Sequence, residues 1–214
     1  LVVFSDDDRR EVLRRVPFLR QQRTSKAGRP NHSLADFVAA GDSGLKDWVG
    51  GFVVTAGLGA RVAADKRLKD DDDYRSILIK ALADRLAEAF AEYLHLKVRR
   101  EHWGYAAEED LDNDALIREE YRGIRPAPGY PACPDHLAKR FLFELLDAEA
   151  ATGVSLTESC AMEPAASVAG WYFSHPEAKY FGLGRIGQDQ VADYAVRAGI
   201  TEDEATGWLA PNLD

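Results

Sequence analysis

Residues 125–136 read Arg-Pro-Ala-Pro-Gly-Tyr-Pro-Ala-Cys-Pro-Asp-His, and no helix or strand pattern continues through them. We call this stretch the proline strip. Its four prolines fix the backbone φ angle and remove amide donors, so the strip is stiff and extended before anything binds. A strip of this kind offers backbone groups to a ligand at low entropic cost. Arg125 at its start can hold a carboxylate through two hydrogen bonds, and Tyr130 supplies a planar face or a phenol.

A proline-rich stretch is also typical of linkers and of segments that bind SH3-type domains. Here Cys133 and an apolar helix predicted directly after the strip favour a position against a core. That helix is predicted over residues 135–152, because apolar residues share one of its faces and Gly153 can end it. The apolar face is formed by Leu137, Phe141, Leu145 and Ala148.

The segment before the strip contains the most regular pattern of the chain, which predicts a long helix over residues 74–99. The acidic run Asp70–Asp73 fits the start of this helix, because carboxylates are stabilised at the positive end of a helix dipole. Residues 1–4 predict a short strand, and residues 47–56 predict a buried one. The helix carries an apolar stripe formed by Leu78, Leu82, Leu86, Phe90, Leu94 and Val98.

The segment after residue 153 predicts three strands, over residues 154–162, 167–174 and 180–186. A short turn joins the last two strands, which favours an antiparallel hairpin. A helix over residues 190–197 follows, and Thr201 with Glu204 forms a capping box for a last helix. The irregular spacing of the strands and the closing hairpin favour an α+β fold with a mainly antiparallel sheet. No GxGxxG turn follows a strand, so a Rossmann fold is not indicated.

The composition argues against several classes of function. The formal charge is −9 at pH 7 and the pI is about 5.1, whereas nucleic-acid binding needs a basic surface. No apolar run approaches the length of a membrane span, and the N-terminus carries no signal-peptide pattern. Cys133 and Cys160 fit two reduced thiols of a cytoplasmic protein, and the scattered histidines predict no metal site. Nucleophile and metalloprotease motifs such as GxSxG and HExxH do not occur.

Several blocks of sequence resemble, in order, the C-terminal S-adenosylmethionine-binding activation (reactivation) domain of cobalamin-dependent methionine synthase. The resemblance implies an α+β fold with a mainly antiparallel, curved sheet flanked by helices, unlike the Rossmann methyltransferases. It also implies a single activation domain over residues 1–214 that is shorter at its N-terminus than the family domain. Besides the proline strip, the blocks are Ala81–His95, Glu158–Val168, Gly170–Pro176, Asp189–Ala195 and Trp208–Leu213.

The resemblance implies that S-adenosylmethionine binds in an extended conformation in a shallow groove. Asp36 then holds the amino group of the ligand and Arg125 holds its carboxylate. By pattern alone, Asp36 fits a turn or strand-edge acid, because it is the one charge within Leu34–Val38. The other positions that the resemblance carries over are Ala127 and Tyr130, which line the groove, the aromatic pair Tyr180 and Phe181, and the acids Glu88 and Glu119 near the sulfonium.

The function that the resemblance implies is reductive remethylation of inactive cob(II)alamin within a 5-methyltetrahydrofolate–homocysteine methyltransferase of methionine biosynthesis. No catalytic residue is expected in this chain, because the nucleophile is cob(I)alamin and the task of the chain is orientation and proximity. Cobalamin, and the zinc of the homocysteine module, belong to other modules of the full-length enzyme. The implied partners are the cobalamin-binding module and flavodoxin or a flavoprotein reductase, in the cytoplasm, without nucleic acid or membrane.

Two other functions stay open at this point. The chain could be a docking or regulatory module for a corrinoid protein or flavodoxin, without ligand chemistry of its own. The basic residues within Arg9–Arg23 would then supply the contact with an acidic partner. It could also be a stand-alone enzyme that acts on another corrinoid, which an assay with the cob(II)alamin protein supplied in trans would test.

Overall fold

Strand β1 (Val2–Phe4) pairs antiparallel with strand β2 (Val12–Arg15), and residues 5–11 form the turn between them. The computed structural model describes residues 1–23, 28 and 30–213. The strand predicted over residues 1–4 is confirmed. Its partner strand was not predicted, because the basic residues of this stretch hide any alternation of polar and apolar side chains.

The remaining strands pair in two further small sheets. Strand β3 (Gly50–Thr55) pairs with β6 (Ser167–Tyr172), and β4 (Ser155–Leu156) pairs antiparallel with β5 (Met162–Glu163). Strands β3 and β6 confirm the strands predicted over residues 47–56 and 167–174. Together with the helices, these sheets form the α+β fold that the sequence predicts. The fold is built from two-stranded sheets rather than from one larger sheet.

The predicted C-terminal hairpin does not form. Within residues 180–186 the structure has no strand, only a bridge between Ile186 and Leu213. The backbone groups of this segment are instead bound by loops. The N–H of Leu183 donates to the carbonyl of Pro131 at 2.8 Å, and the N–H of Ile186 donates to the carbonyl of Asn212 at 3.0 Å. The segment therefore packs against the proline strip and the C-terminus instead of β6.

The long predicted helix is confirmed as α2 (Asp73–Lys97), and a π-helical turn (Val98–His102) continues it. Its first turn is capped by Asp72, whose side chain accepts a hydrogen bond from the N–H of Arg75. The predicted apolar stripe, however, is largely exposed: Leu82 is 53% exposed and Leu86 is 61% exposed. The buried residues of α2 are Ser76, Ala83, Ala87, Ala91 and His95.

Small side chains explain which face of α2 is buried. Helix α1 (Ala60–Lys69) packs against α2, and its one buried residue is also an alanine, Ala64. Alanine columns let two helices approach closely, whereas leucines on the same face would hold them apart. Large apolar side chains of α2 such as Leu82, Leu86 and Phe90 are left exposed.

The other helices are shorter. The helix predicted over residues 135–152 is divided in two, because Asp147 adopts a left-handed conformation with φ of 47°. The capping box of Thr201 and Glu204 is confirmed at the start of the last α-helix. The helices are α3 (Asn113–Ile117), α4 (Ala138–Leu146), α5 (Ala148–Thr152), α6 (Gln188–Ala198) and α7 (Glu202–Leu209), with 3-10 helices at Leu34–Phe37 and Ala210–Asn212.

The described chain divides into two compact units. Unit 1 comprises Leu1–Gly50, Gly123–Phe141 and Trp171–Asp214, and unit 2 comprises Gly51–Arg122 and Leu142–Gly170. None of the helices in the part of the chain that the structure describes has the length and apolar character needed to cross a bilayer. The core of unit 1 around α6 and α7 is formed by Leu19, Leu183, Ile186, Val191, Tyr194, Ala195, Ala205 and Leu209.

Candidate functional site

The proline strip lies in unit 1. Prolines have no N–H to donate, but their carbonyl groups can still accept hydrogen bonds. The carbonyl of Pro126 accepts a hydrogen bond from the N–H of Trp171 at 3.0 Å. The N–H of Gly129 donates to the carbonyl of Cys133 at 2.7 Å, and the N–H of Cys133 donates to the carbonyl of Tyr130 at 2.9 Å. These two bonds close a tight turn, residues 127–133, in which Gly129 has a left-handed φ of 97°. We call this turn the strip turn.

Tyr180 is joined directly to the start of the strip. The backbone N–H of Arg125 donates to the hydroxyl of Tyr180 at 3.0 Å. The side chain of Tyr130 is 59% exposed and that of Tyr180 is 37% exposed, so parts of both rings can meet a ligand. The structure therefore brings together two of the predicted site residues, the guanidinium-bearing Arg125 and the aromatic Tyr180.

Phe181 belongs to an aromatic cluster with His32 and Phe37. Its ring centroid lies 5.8 Å from that of His32 and 6.4 Å from that of Phe37. Phe181 therefore contacts this cluster, whereas the hydroxyl of Tyr180 accepts a hydrogen bond from the N–H of Arg125. A cleft of 440 Å³ opens beside Tyr180 and Phe181, and Gln21 and His32 are among the residues that line it.

Asp36 sits on the 3-10 helix Leu34–Phe37 and already has partners for both carboxylate oxygens. Arg20 donates to them at 2.5 Å and 2.6 Å, and the N–H of Ser33 donates at 2.9 Å. Ser33 and Asp36 form a capping box at the start of this helix. The hydrogen bonds from Arg20, with the further bond from Ser33, hold the pKa of the Asp36 carboxyl below its usual value. The Asp36 carboxylate therefore has a structural role in unit 1.

Replacing Arg20 with alanine is expected to raise the pKa of Asp36, because the largest cause of its lowering is removed. The folded-state pKa lies below the usual value of about 4, so the stabilising pair is present above that pH and is lost as the pH falls further. A carboxyl carbon NMR titration of the wild type and Arg20→Ala, between about pH 2 and pH 6, measures this difference. An Asp36 pKa that is the same in both proteins would contradict the prediction.

The family of the chain follows from comparison with known proteins. Residues 1–199 match the family model described as the activation domain of vitamin B12-dependent methionine synthase. The chain belongs to this family. It is also similar to a solved structure described as the crystal structure of the MetH reactivation domain bound to AdoHcy, with 55% sequence identity and a TM-score of 0.96. That match covers 99% of this chain and 65% of the solved chain, so this chain spans less than two thirds of that relative.

The two acids predicted near the sulfonium lie in unit 2 of this activation domain. Glu88 is exposed on α2, and Glu119 is exposed just after α3 in a left-handed conformation with φ of 57°. A non-glycine residue in that conformation is uncommon and costs free energy, so the segment around Glu119 is held by its surroundings. Among the described residues, no group of three His, Cys, Asp or Glu side chains could hold a metal ion.

Two residues of the activation domain that support the site were missed by sequence reasoning. Arg20 binds Asp36, and Gln21 joins separate loops: its amide donates to the carbonyl of Gly182 at 2.6 Å and its oxygen accepts from the N–H of His32 at 3.0 Å. Gln21 is only 2% exposed. Nothing in the sequence distinguishes Arg20 and Gln21 from surface residues, because their partners are distant along the chain.

Proposed function

We propose that this activation domain binds S-adenosylmethionine and supports the reductive remethylation of inactive cob(II)alamin in a cobalamin-dependent methionine synthase. The observation that carries the proposal is the solved relative, a MetH reactivation domain bound to AdoHcy, which is 55% identical. AdoHcy is S-adenosylmethionine without its transferable methyl group, so the two ligands share the amino acid and nucleoside that a binding site would recognise. The family match over residues 1–199 supports the same function.

The proposed ligand residues fit the chemistry of this ligand. The guanidinium of Arg125 would hold the carboxylate, since arginine binds carboxylates through two parallel hydrogen bonds. The exposed rings of Tyr130 and Tyr180, together with Phe181, would lie along the ligand, because a sulfonium and a nucleobase are both favoured by aromatic faces. Backbone groups near Ala127 would supply further hydrogen bonds.

The three predicted acids differ in whether their carboxylates are already bound by another side chain. Glu88 and Glu119 carry exposed carboxylates that are suited to a sulfonium, whose positive charge they would balance. For Asp36, the amino group of the ligand would have to displace or share the guanidinium of Arg20. The proposal therefore depends on Arg125 and the strip more than on Asp36.

Bound S-adenosylmethionine would supply an electrophilic methyl group to cobalamin held by another module. The residues of this chain bind and orient that ligand, and none of them is proposed to act as a nucleophile or base. Such positioning converts an encounter of two molecules into a reaction within one assembly, which lowers its entropic cost. Like cobalamin, the zinc of the homocysteine module is proposed to belong to other modules of the full-length enzyme.

The proposed partners are the cobalamin-binding module and flavodoxin or a flavoprotein reductase. The arginines within Arg9–Arg23 would supply the contact with an acidic protein, beside the acids Asp6–Asp8 and Glu11 of the turn between β1 and β2. The side chain of Arg10 in this turn is 75% exposed. Charge complementarity of this kind raises the rate of association and makes it sensitive to salt. The same surface would carry the alternative function of a docking module without ligand chemistry.

Isothermal titration calorimetry of the full chain with S-adenosylhomocysteine tests the proposal. We expect binding that is at least about tenfold tighter than binding of adenosine, because adenosine lacks the amino acid that Arg125 would hold. A folded sample that binds neither ligand would contradict the proposal. Salt-sensitive association with flavodoxin in such a sample would then favour the docking function.

A further inference from the structure

A buried polar pair lies directly at the end of the proline strip. Asp135 is 3% exposed and Tyr194, on α6, is 1% exposed. The hydroxyl of Tyr194 donates to Oδ2 of Asp135, and the N–H of Leu137 donates to Oδ1 at 2.8 Å. Both oxygens of this carboxylate are therefore held, one by a neighbouring helix and one by the chain immediately after the strip.

The pair is costly for the core in which it lies. Tyr194 packs among apolar residues such as Leu183 and Val191, where a phenylalanine would fill the same space without a polar group. Burial raises the pKa of the Asp135 carboxyl, which is the sign of a carboxylate that has lost its hydration. A buried polar contact of this kind adds little net stability, but its direction fixes the geometry of the groups it joins.

The next residue extends this contact to the strip turn. A methyl group added to Gly129 would collide with the ring of His136, so that ring lies directly against the Gly129 backbone. The ring is itself held, because the ammonium of Lys139, which is 7% exposed, lies 2.9 Å from its Nδ1 atom. His136 follows Asp135 directly, so the position of Asp135 determines where this ring can pack.

The strip turn carries two of the proposed ligand residues. The N–H of Tyr130 donates to the carbonyl of Ala127 at 3.2 Å, and the bond from Gly129 to Cys133 closes the turn at 2.7 Å. A continuous series of contacts thus leads from Tyr194 through Asp135 and His136 to the backbone of Ala127 and Tyr130. None of the three supporting side chains needs to touch the ligand.

We propose that Tyr194 and Asp135 are positioning residues, which hold the strip turn in the conformation that binds S-adenosylmethionine. The inference rests on the proposed function, because it assigns a role to these residues at the same site. Their hydrogen bond orients the end of the strip, and His136 transmits that orientation to Gly129 and Tyr130. The free protein then keeps its ligand-binding backbone in place, which avoids the entropic cost of ordering it on binding.

Tyr194→Phe is the variant that tests the inference, because it removes the hydroxyl and leaves the ring in the core. We expect its affinity for S-adenosylhomocysteine to fall about tenfold in calorimetry, with an unchanged far-UV circular dichroism spectrum. Amide hydrogen exchange at Gly129 and Cys133 should become faster, since these amides close the strip turn. Asp135→Asn, which keeps one acceptor oxygen, should lose less affinity than Asp135→Ala.

Val191→Ala is the matched control, because Val191 is fully buried on the same helix and has no polar contact with the strip. It should lower the stability of the protein without changing affinity or exchange at the strip turn. Unchanged affinity and exchange in Tyr194→Phe would overturn the inference, as would equal losses in Val191→Ala. If the wild type binds no ligand, the proposed function fails, and the exchange rates alone decide whether Tyr194 positions the turn.

Discussion

Arg125→Ala is expected to weaken binding of S-adenosylhomocysteine about 10- to 100-fold while leaving the protein folded. A hydrogen bond between charged groups contributes about 1.5–3 kcal/mol, and its loss also leaves the carboxylate of the ligand without a cation. The backbone N–H of Arg125, which holds Tyr180 at 3.0 Å, is present in every variant. The substitution therefore separates the contribution of the guanidinium from that of the main chain.

Adenosine provides the sharpest control for Arg125, because it lacks the amino acid carboxylate. Its affinity should be the same in the wild type and in Arg125→Ala. Arg125→Lys should recover part of the lost affinity for S-adenosylhomocysteine, since an ammonium keeps the charge but not the paired geometry. Arg10→Ala removes an arginine from an exposed pair with Asp8 and should leave the affinity for both ligands unchanged. Equal losses for adenosine and S-adenosylhomocysteine would show that Arg125 supports the fold rather than the carboxylate.

Features that depend on neighbours along the chain were predicted correctly from sequence. The start of α2 follows from the acidic run before it, and Asp72 provides the cap. The last helix follows from the capping box of Thr201 and Glu204, whose hydrogen bonds are present in the structure. The proline strip could also be recognised as irregular, because four prolines within ten residues cannot continue the interior of a helix or of a central strand.

Features that depend on distant parts of the chain were not predictable in the same way. A spacing of four residues along α2 fits both the leucine stripe and the alanine column, and only packing against distant parts of the chain, such as α1 and Tyr121, decides between them. Residues 180–186 have the composition of a strand, but their hydrogen bonds go to Pro131 and Asn212. The ion pair of Arg20 with Asp36 joins residues that no sequence pattern relates.

Unit 2 contains a buried ion pair that no motif indicated. Arg99 is fully buried in the π-helical turn, and its Nε and Nη2 atoms donate to Glu109 at distances of 2.7–3.1 Å. Its guanidinium carbon also lies 4.3 Å from the centre of the Tyr121 ring, and that ring makes a T-shaped contact with the ring of His95, with 5.0 Å between their centroids. The third nitrogen, Nη1, is buried without a hydrogen-bond partner among the described residues. Glu109 is therefore the anion that compensates this buried charge.

Glu109→Ala is expected to lower the free energy of unfolding by about 3–5 kcal/mol, because it leaves the charge of Arg99 buried and uncompensated. Urea unfolding followed by circular dichroism measures the loss, which is a large part of the 5–15 kcal/mol typical of whole domains.

The matched control is Glu101→Ala. Glu101 lies on the same π-helical turn as Arg99, and its substitution breaks an exposed pair with Lys97, which should cost less than about 1 kcal/mol. Similar losses in the two variants would contradict the prediction. A much smaller loss in the double variant Arg99→Met/Glu109→Leu than in Glu109→Ala would support it further, since replacing both partners with apolar side chains leaves no buried charge without a partner.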